Sequence, residues 1–134
     1  FLKIEEEFSG SDAGNLAHYY AGISLLNTGK YADAIKHLED FESDDMMLKP
    51  LTLGAIGDAN AELNKPKDAL EFYIKAAETN QNEWTTPRFL LKAGQTALSL
   101  GNKADALKYF TEIKEKYESS SEAQGIEGSI GMAQ

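Results

Sequence analysis

Cysteine is absent from the 134 residues, which excludes disulfides, thiolate metal sites and cysteine nucleophiles, and is compatible with reducing and oxidising compartments alike. Histidine is scarce. His18 and His37 stand in no H-E-x-x-H or comparable ligand spacing, and each reads as a surface or half-buried residue. No G-x-S-x-G elbow occurs, and the string Gly125, Gly128, Gly131 follows no strand and lacks the lysine of a phosphate loop. Catalysis therefore has no recognisable seat, and no metal or cofactor is expected. No run approaches the ~20 apolar residues of a membrane-spanning helix. Thirteen basic against twenty-two acidic residues give a net charge of −9. That charge repels phosphate backbones and anionic lipid, so no nucleic-acid partner is expected. Acidic runs at Glu5 to Glu7 and at Asp40, Glu42, Asp44 and Asp45 read as solvated surface.

What is present is a repeat. Gly22, Gly57 and Gly94 lie 35 and 37 residues apart, and each is followed after twelve residues by an alanine, Ala34, Ala69 and Ala106. Gly29, Asn64 and Gly101 form a third matched set, seven residues after each leading glycine. A period in the mid-thirties with small residues in fixed places predicts stacked helix pairs, an all-α solenoid. Glycine inside a helix costs about 1 kcal/mol relative to alanine, so each leading glycine implies a compensating close approach of the two helices of a pair, with the paired alanine opposite. Glycine and asparagine tolerate the left-handed conformation that ends a helix, so Gly29, Asn64 and Gly101 are the expected stops.

The second helices follow at once. Tyr31, Ala34, Ile35, Leu38 and Phe41 recur at helical spacing, as do Ala69, Leu70, Tyr73, Ala76 and Ala77, and then Ala106, Leu107, Phe110, Ile113 and Tyr117. Three repeats are expected over residues 15–42, 50–78 and 87–117, with first helices at 15–28, 50–63 and 87–100. Residues 1–8 read as the end of a preceding helix in a longer protein. Ser119 to Glu122 offers a capping box for a terminal capping helix over residues 120–132, carrying Ala123, Ile126 and Ile130. Trp84 falls in the connection before Pro87, where packing over the repeat junction is expected.

The stretches from Ala17 to Leu38, Leu53 to Tyr73 and Leu90 to Phe110 resemble tetratricopeptide repeats. Glycine at the eighth place, alanine at the twentieth and a leucine or aromatic at the twenty-fourth match that family's pattern. The departures are His18, Leu53 and Leu90 where tryptophan is common, and the lack of a proline at the end of any repeat. In this family the first helices line a groove that holds an extended or helical segment of a partner, so the resemblance implies a protein or peptide ligand. Its groove places fall on Leu16, Tyr19, Ile23 and Asn27, on Leu51, Gly54, Asp58 and Glu62, and on Arg88, Leu91, Gln95 and Ser99. Leu16, Tyr19 and Ile23 would anchor an apolar side chain, whereas Asp58 and Glu62, one turn apart, would receive a lysine or arginine. Arg88 with Lys92 resembles the basic pair by which chaperone-docking members grip a terminal carboxylate, but Tyr19 and Ile23 replace that clamp's lysine and asparagine.

The order of Phe1 to Ala13, Asn15 to Ala17 and Ile113 to Tyr117 is similar to bacterial envelope tetratricopeptide proteins, especially the membrane-anchored accessory family of the Sec translocon. That resemblance implies a soluble interaction domain in the periplasm, joined to the membrane only through an N-terminal anchor. The expected function is a non-enzymatic scaffold; the alternative is an architectural segment of a longer regulatory or enzymatic chain, with an empty groove.

Overall fold

The computed structural model describes residues 12–43 and 45–134, and the expected helix over residues 1–8 lies outside them. The described residues form seven α-helices and no strand: α1 Asp12–Asn27, α2 Tyr31–Asp40, α3 Leu48–Glu62, α4 Pro66–Glu78, α5 Thr86–Ser99, α6 Lys103–Lys116 and α7 Ile126–Ala133. Each helix packs on the next in the chain, so the pairs α1/α2, α3/α4 and α5/α6 stack in order and α7 closes the end on α6. The first helices begin earlier than expected, by three residues in α1, two in α3 and one in α5.

The three turns inside the pairs are built alike. Gly29, Asn64 and Gly101 have φ of 82°, 59° and 82°. In each turn two nested hydrogen bonds close the preceding helix: the outer runs from Lys30 N–H to Leu25 O at 2.8 Å, from Lys65 to Asn60 at 2.9 Å and from Asn102 to Ala97 at 2.8 Å, and the inner from Gly29 to Leu26, Asn64 to Ala61 and Gly101 to Leu98. This is the Schellman arrangement, and it reverses the chain in the fewest residues.

The leading glycines make the close approach that their helix penalty demanded, with a different neighbour from the one expected. A Cβ on Gly22 would lie 2.5 Å from Leu38 Cγ, and one on Gly57 2.7 Å from Tyr73 Cε1. One on Gly94 would overlap the Phe110 ring. The side chain filling the space belongs to the residue one turn after the paired alanine. The alanine contributes its carbonyl oxygen, 3.3 Å away for both Ala34 and Ala69. Gly54 makes a further such contact between repeats, where the Phe89 ring occupies the place of its missing side chain.

The expected stripes are largely buried: Ala34, Leu38 and Phe41 in repeat 1, Ala69, Tyr73, Ala76 and Ala77 in repeat 2, and Ala106, Phe110 and Ile113 in repeat 3. The core nevertheless divides. Repeats 2 and 3 share one continuous cluster with Ile126, Ile130 and Ala133 of α7. Leu38, Ala55 and Ile56 form a separate, smaller one beneath Tyr19, Ile23 and Phe72.

Two local features depart from the sequence reading. The capping helix is broken: Ser120 Oγ accepts from Ala123 N–H at 3.2 Å to start a single 3₁₀ turn, and Gly125, at φ 76°, breaks the path before α7. The capping serine is thus the second of the three, and it serves that short turn. The second feature is the length of α2, ten residues against thirteen in α4 and fourteen in α6. The chain leaves α2 at Phe41 in an extended conformation (ψ 127°), and the Asn15 side chain clasps the exit, accepting from Glu42 N–H at 2.9 Å and donating to Glu42 O at 2.5 Å. Pro50 and Pro87 occupy the corresponding places of repeats 2 and 3 and have no amide with which to make that clasp.

Candidate functional site

Asp45 Oδ1 accepts from the N–H groups of Met47 at 2.8 Å and Leu48 at 2.9 Å, satisfying donors that the start of α3 leaves open. Those two bonds, Leu48 first, hold the Asp45 carboxyl below the usual carboxylate range. Thirty-seven residues on, Asn82 does the same for α5: its Oδ1 accepts from Trp84 N–H at 2.8 Å and Thr85 N–H at 2.7 Å. Its own N–H donates to Thr86 Oγ1 at 2.9 Å. The matched pair Asp45 and Asn82 fixes where repeats 2 and 3 enter, and the sequence reading passed over it.

Of the residues of α1 expected to line a groove, Leu16, Tyr19 and Ile23 are apolar. Leu16 is 39 % exposed, Tyr19 and Ile23 are half-buried, and Asn27 is exposed beyond them. Tyr19 is wedged between aromatic neighbours, with its ring centroid 5.2 Å from Phe41 and 5.6 Å from Tyr20 in an edge-on contact. Burial, then the neighbouring Tyr20, raises the Tyr19 pKa above its ordinary value, and the positive charge of Arg88 opposes the rise. Arg88 is exposed near the start of α5.

The middle of the row is already occupied. Asp58 Oδ1 accepts a 2.6 Å hydrogen bond from the buried Tyr73 hydroxyl and a 2.7 Å bond from Lys92 Nζ, which also lies 5.6 Å from the Tyr73 ring centroid. Burial first, then the hydrogen bond to Asp58, pushes the Tyr73 hydroxyl far above its ordinary range. Asp58, expected to receive a partner's base, and Lys92, named beside Arg88 as part of a basic pair, are paired with each other across the junction of repeats 2 and 3. Gly54, a further expected groove place, is buried under Phe89. Glu62, Gln95 and Ser99 stay exposed, and Leu51 and Leu91 are half-buried.

Trp84 departs most from expectation. It is 70 % exposed, packs over no junction, and edges a cleft of about 510 Å³ with Glu83, Glu115, Glu118 and Glu122. His18 and His37 are half-buried and face each other across the α1/α2 pair with ring centroids 5.8 Å apart. Among the described residues no group of three or more histidine, aspartate or glutamate side chains gathers as a metal site. No helix there is long and apolar enough to cross a membrane.

Comparison with known proteins gives the same architecture. Residues 19–83 match one family model described as tetratricopeptide repeat, and residues 89–120 match another of the same description. No curated protein matches the sequence. A similar solved structure is the crystal structure of PcrH in complex with the chaperone binding region of PopB, with a TM-score of 0.71 and 21 % identity. The likeness covers 94 % of this chain and 98 % of that one. With helix pairs stacked in order, each reversed by the same turn, and the family's pattern matched along both stretches, the chain belongs to the tetratricopeptide repeat family.

Proposed function

We propose that the chain is a non-enzymatic protein-interaction module that holds a segment of a partner protein against the face of α1, α3 and α5. The observation that carries this reading is the pairing of an apolar wall, Leu16, Tyr19 and Ile23, with the exposed guanidinium of Arg88, which no carboxylate among the described residues neutralises. An aromatic or aliphatic side chain anchors on the wall, and a carboxylate or backbone carbonyl of the segment meets Arg88. Asn27, Glu62, Leu91 and Gln95 flank the path and contact its backbone and outer side chains. Asp58 and Lys92 serve it indirectly, by locking repeats 2 and 3 at a fixed offset. The similarity in fold to PcrH, seen with a segment of PopB, supports a segment-holding role.

Capture of partners by the intact protein from its own cells identifies the segment. Tyr19→Ala and Arg88→Glu then each weaken its binding by about fivefold or more with helicity unchanged. Equal affinity in both variants defeats the assignment of the groove. The finer reading is an envelope protein held by an N-terminal membrane anchor, supported by the order of residues noted above. An upstream run of about 20 apolar residues in the full gene favours it, whereas an appended catalytic or DNA-binding domain favours the architectural alternative.

A further inference from the structure

The early end of α2 leaves a cleft of about 650 Å³ between repeats 1 and 2, on the side of the stack formed by the second helices. Its floor is apolar: Leu38, Phe41, Leu53, Ile56 and Phe72. The equivalent space between repeats 2 and 3 is about 340 Å³. There α4 runs on to Glu78, and Leu90, Ala93 and Tyr109 stand in the places of Leu53, Ile56 and Phe72. Two differences therefore set the first cleft apart, the missing helical turn and a larger, more apolar floor. A volume of this size lies within the usual range for ligand pockets, about 300–1,000 Å³, and accepts two or three apolar side chains.

The charge around it is acidic. Glu39 and Glu42 line the mouth, and the exposed Asp40 and Asp45 flank them in sequence. Among the described residues Lys49 is the one base in the lining, and Lys75, which sits 4.9 Å above the Phe72 ring, is paired with Glu71 at 3.2 Å. A second copy of this chain, at net charge −9, would bring its own acids to this rim, so self-association is disfavoured.

We propose that this cleft is a second docking site, separate from the groove of the first helices, for a partner segment bearing leucine or phenylalanine anchors flanked by lysine or arginine. The anchors enter where the last turn of α2 is missing, and the flanking bases meet Glu39 and Glu42.

The test is titration of the isotope-labelled chain with the synthetic peptide Lys-Lys-Leu-Phe-Leu-Lys-Lys, followed by amide shifts in nuclear magnetic resonance. Shifts concentrated at Glu39, Phe41, Lys49, Leu53 and Phe72 are expected. The exposed double variant Glu39→Lys, Glu42→Lys should weaken binding about tenfold, because both rim charges reverse, while Arg88→Glu leaves it unchanged. The same peptide with serine in place of its three apolar residues should lose most of its affinity. Shifts centred on Tyr19, Arg88 and Gln95 would move the peptide to the groove and overturn the proposal. So would full affinity in the double variant, full affinity of the serine peptide, or no shifts at millimolar peptide. Loss of this peptide's binding in Arg88→Glu would likewise place it in the groove and overturn the proposal, whereas the groove reading stands or falls on its own captured segment, so the two readings fail separately.

Discussion

Substituting one glycine after another by alanine gives opposite signs according to what each glycine faces. At Gly94 an added methyl meets three carbons of the Phe110 ring, Cδ1 at 2.8 Å and Cζ at 2.9 Å among them, and Phe110 has no exposed surface through which to retreat. Overpacking of this kind costs about 1–3 kcal/mol, and the better helix propensity of alanine returns about 1 kcal/mol. The net loss is up to about 2 kcal/mol, up to roughly 8 °C in Tm for a chain of this length. At Gly128 and Gly131 of α7, an added Cβ finds nothing within 4 Å. There only the propensity gain remains, so alanine stabilises by up to about 1 kcal/mol. Thermal and urea unfolding followed by circular dichroism at the helix band measures both. A Gly94→Ala protein melting at or above the parent, or glycines of both kinds shifting Tm the same way, would refute the idea that the repeat glycine exists for helix contact.

Asn82→Ala removes the acceptor of two amide hydrogen bonds at the start of α5 and should destabilise by about 1–2 kcal/mol, read from urea midpoints. Asp45→Ala should remove an acid sensitivity: the folded-state pKa of Asp45 is depressed, so its contribution is present above the ordinary aspartate range and is lost as pH falls through the folded pKa. Melts of the parent and the variant should converge in acid. Tyr73 behaves oppositely. Its folded pKa is raised, so its contribution is whole below the ordinary tyrosine value of 10.0 and is lost as pH rises beyond it. Tyr73→Phe should therefore flatten the fall of stability between neutral and strongly alkaline pH, while costing about 1–3 kcal/mol at neutrality by breaking a hydrogen bond to a charged group. Trp84, the sole tryptophan, should fluoresce as a water-exposed indole and be quenched freely by acrylamide in the folded protein, and a blue-shifted, protected emission would contradict its exposure.

Features with a local physical cause were legible in the sequence. The helix stops at Gly29, Asn64 and Gly101 follow from backbone sterics at single residues, and the buried stripes follow from helical periodicity. Contacts that depend on how repeats sit on one another were not. Asp58 and Lys92 are 34 residues apart, and nothing in either segment marks the other as its partner until the stacking offset is known. Asn15 reaches Glu42 over 27 residues to end α2 early, an effect invisible to a pattern that only scores apolar spacing. The caps Asp45 and Asn82 share their spacing with the repeat, but their neighbours, Met46 and Met47 in one and Glu83 and Trp84 in the other, share no chemistry. Trp84 lies in a connection, where no periodicity tells in from out.

Among the described residues the split core makes the first repeat the part expected to open most readily. Among the described residues Leu38 joins only Ala55 and Ile56 of the second hairpin in its cluster, while the second and third hairpins and the closing helix share a larger one and are expected to open together. Because the aromatic face of Tyr19 belongs to that looser unit and Arg88 to the firmer one, a guest held as proposed should tighten the amides of residues 14–43 against hydrogen exchange more than any others.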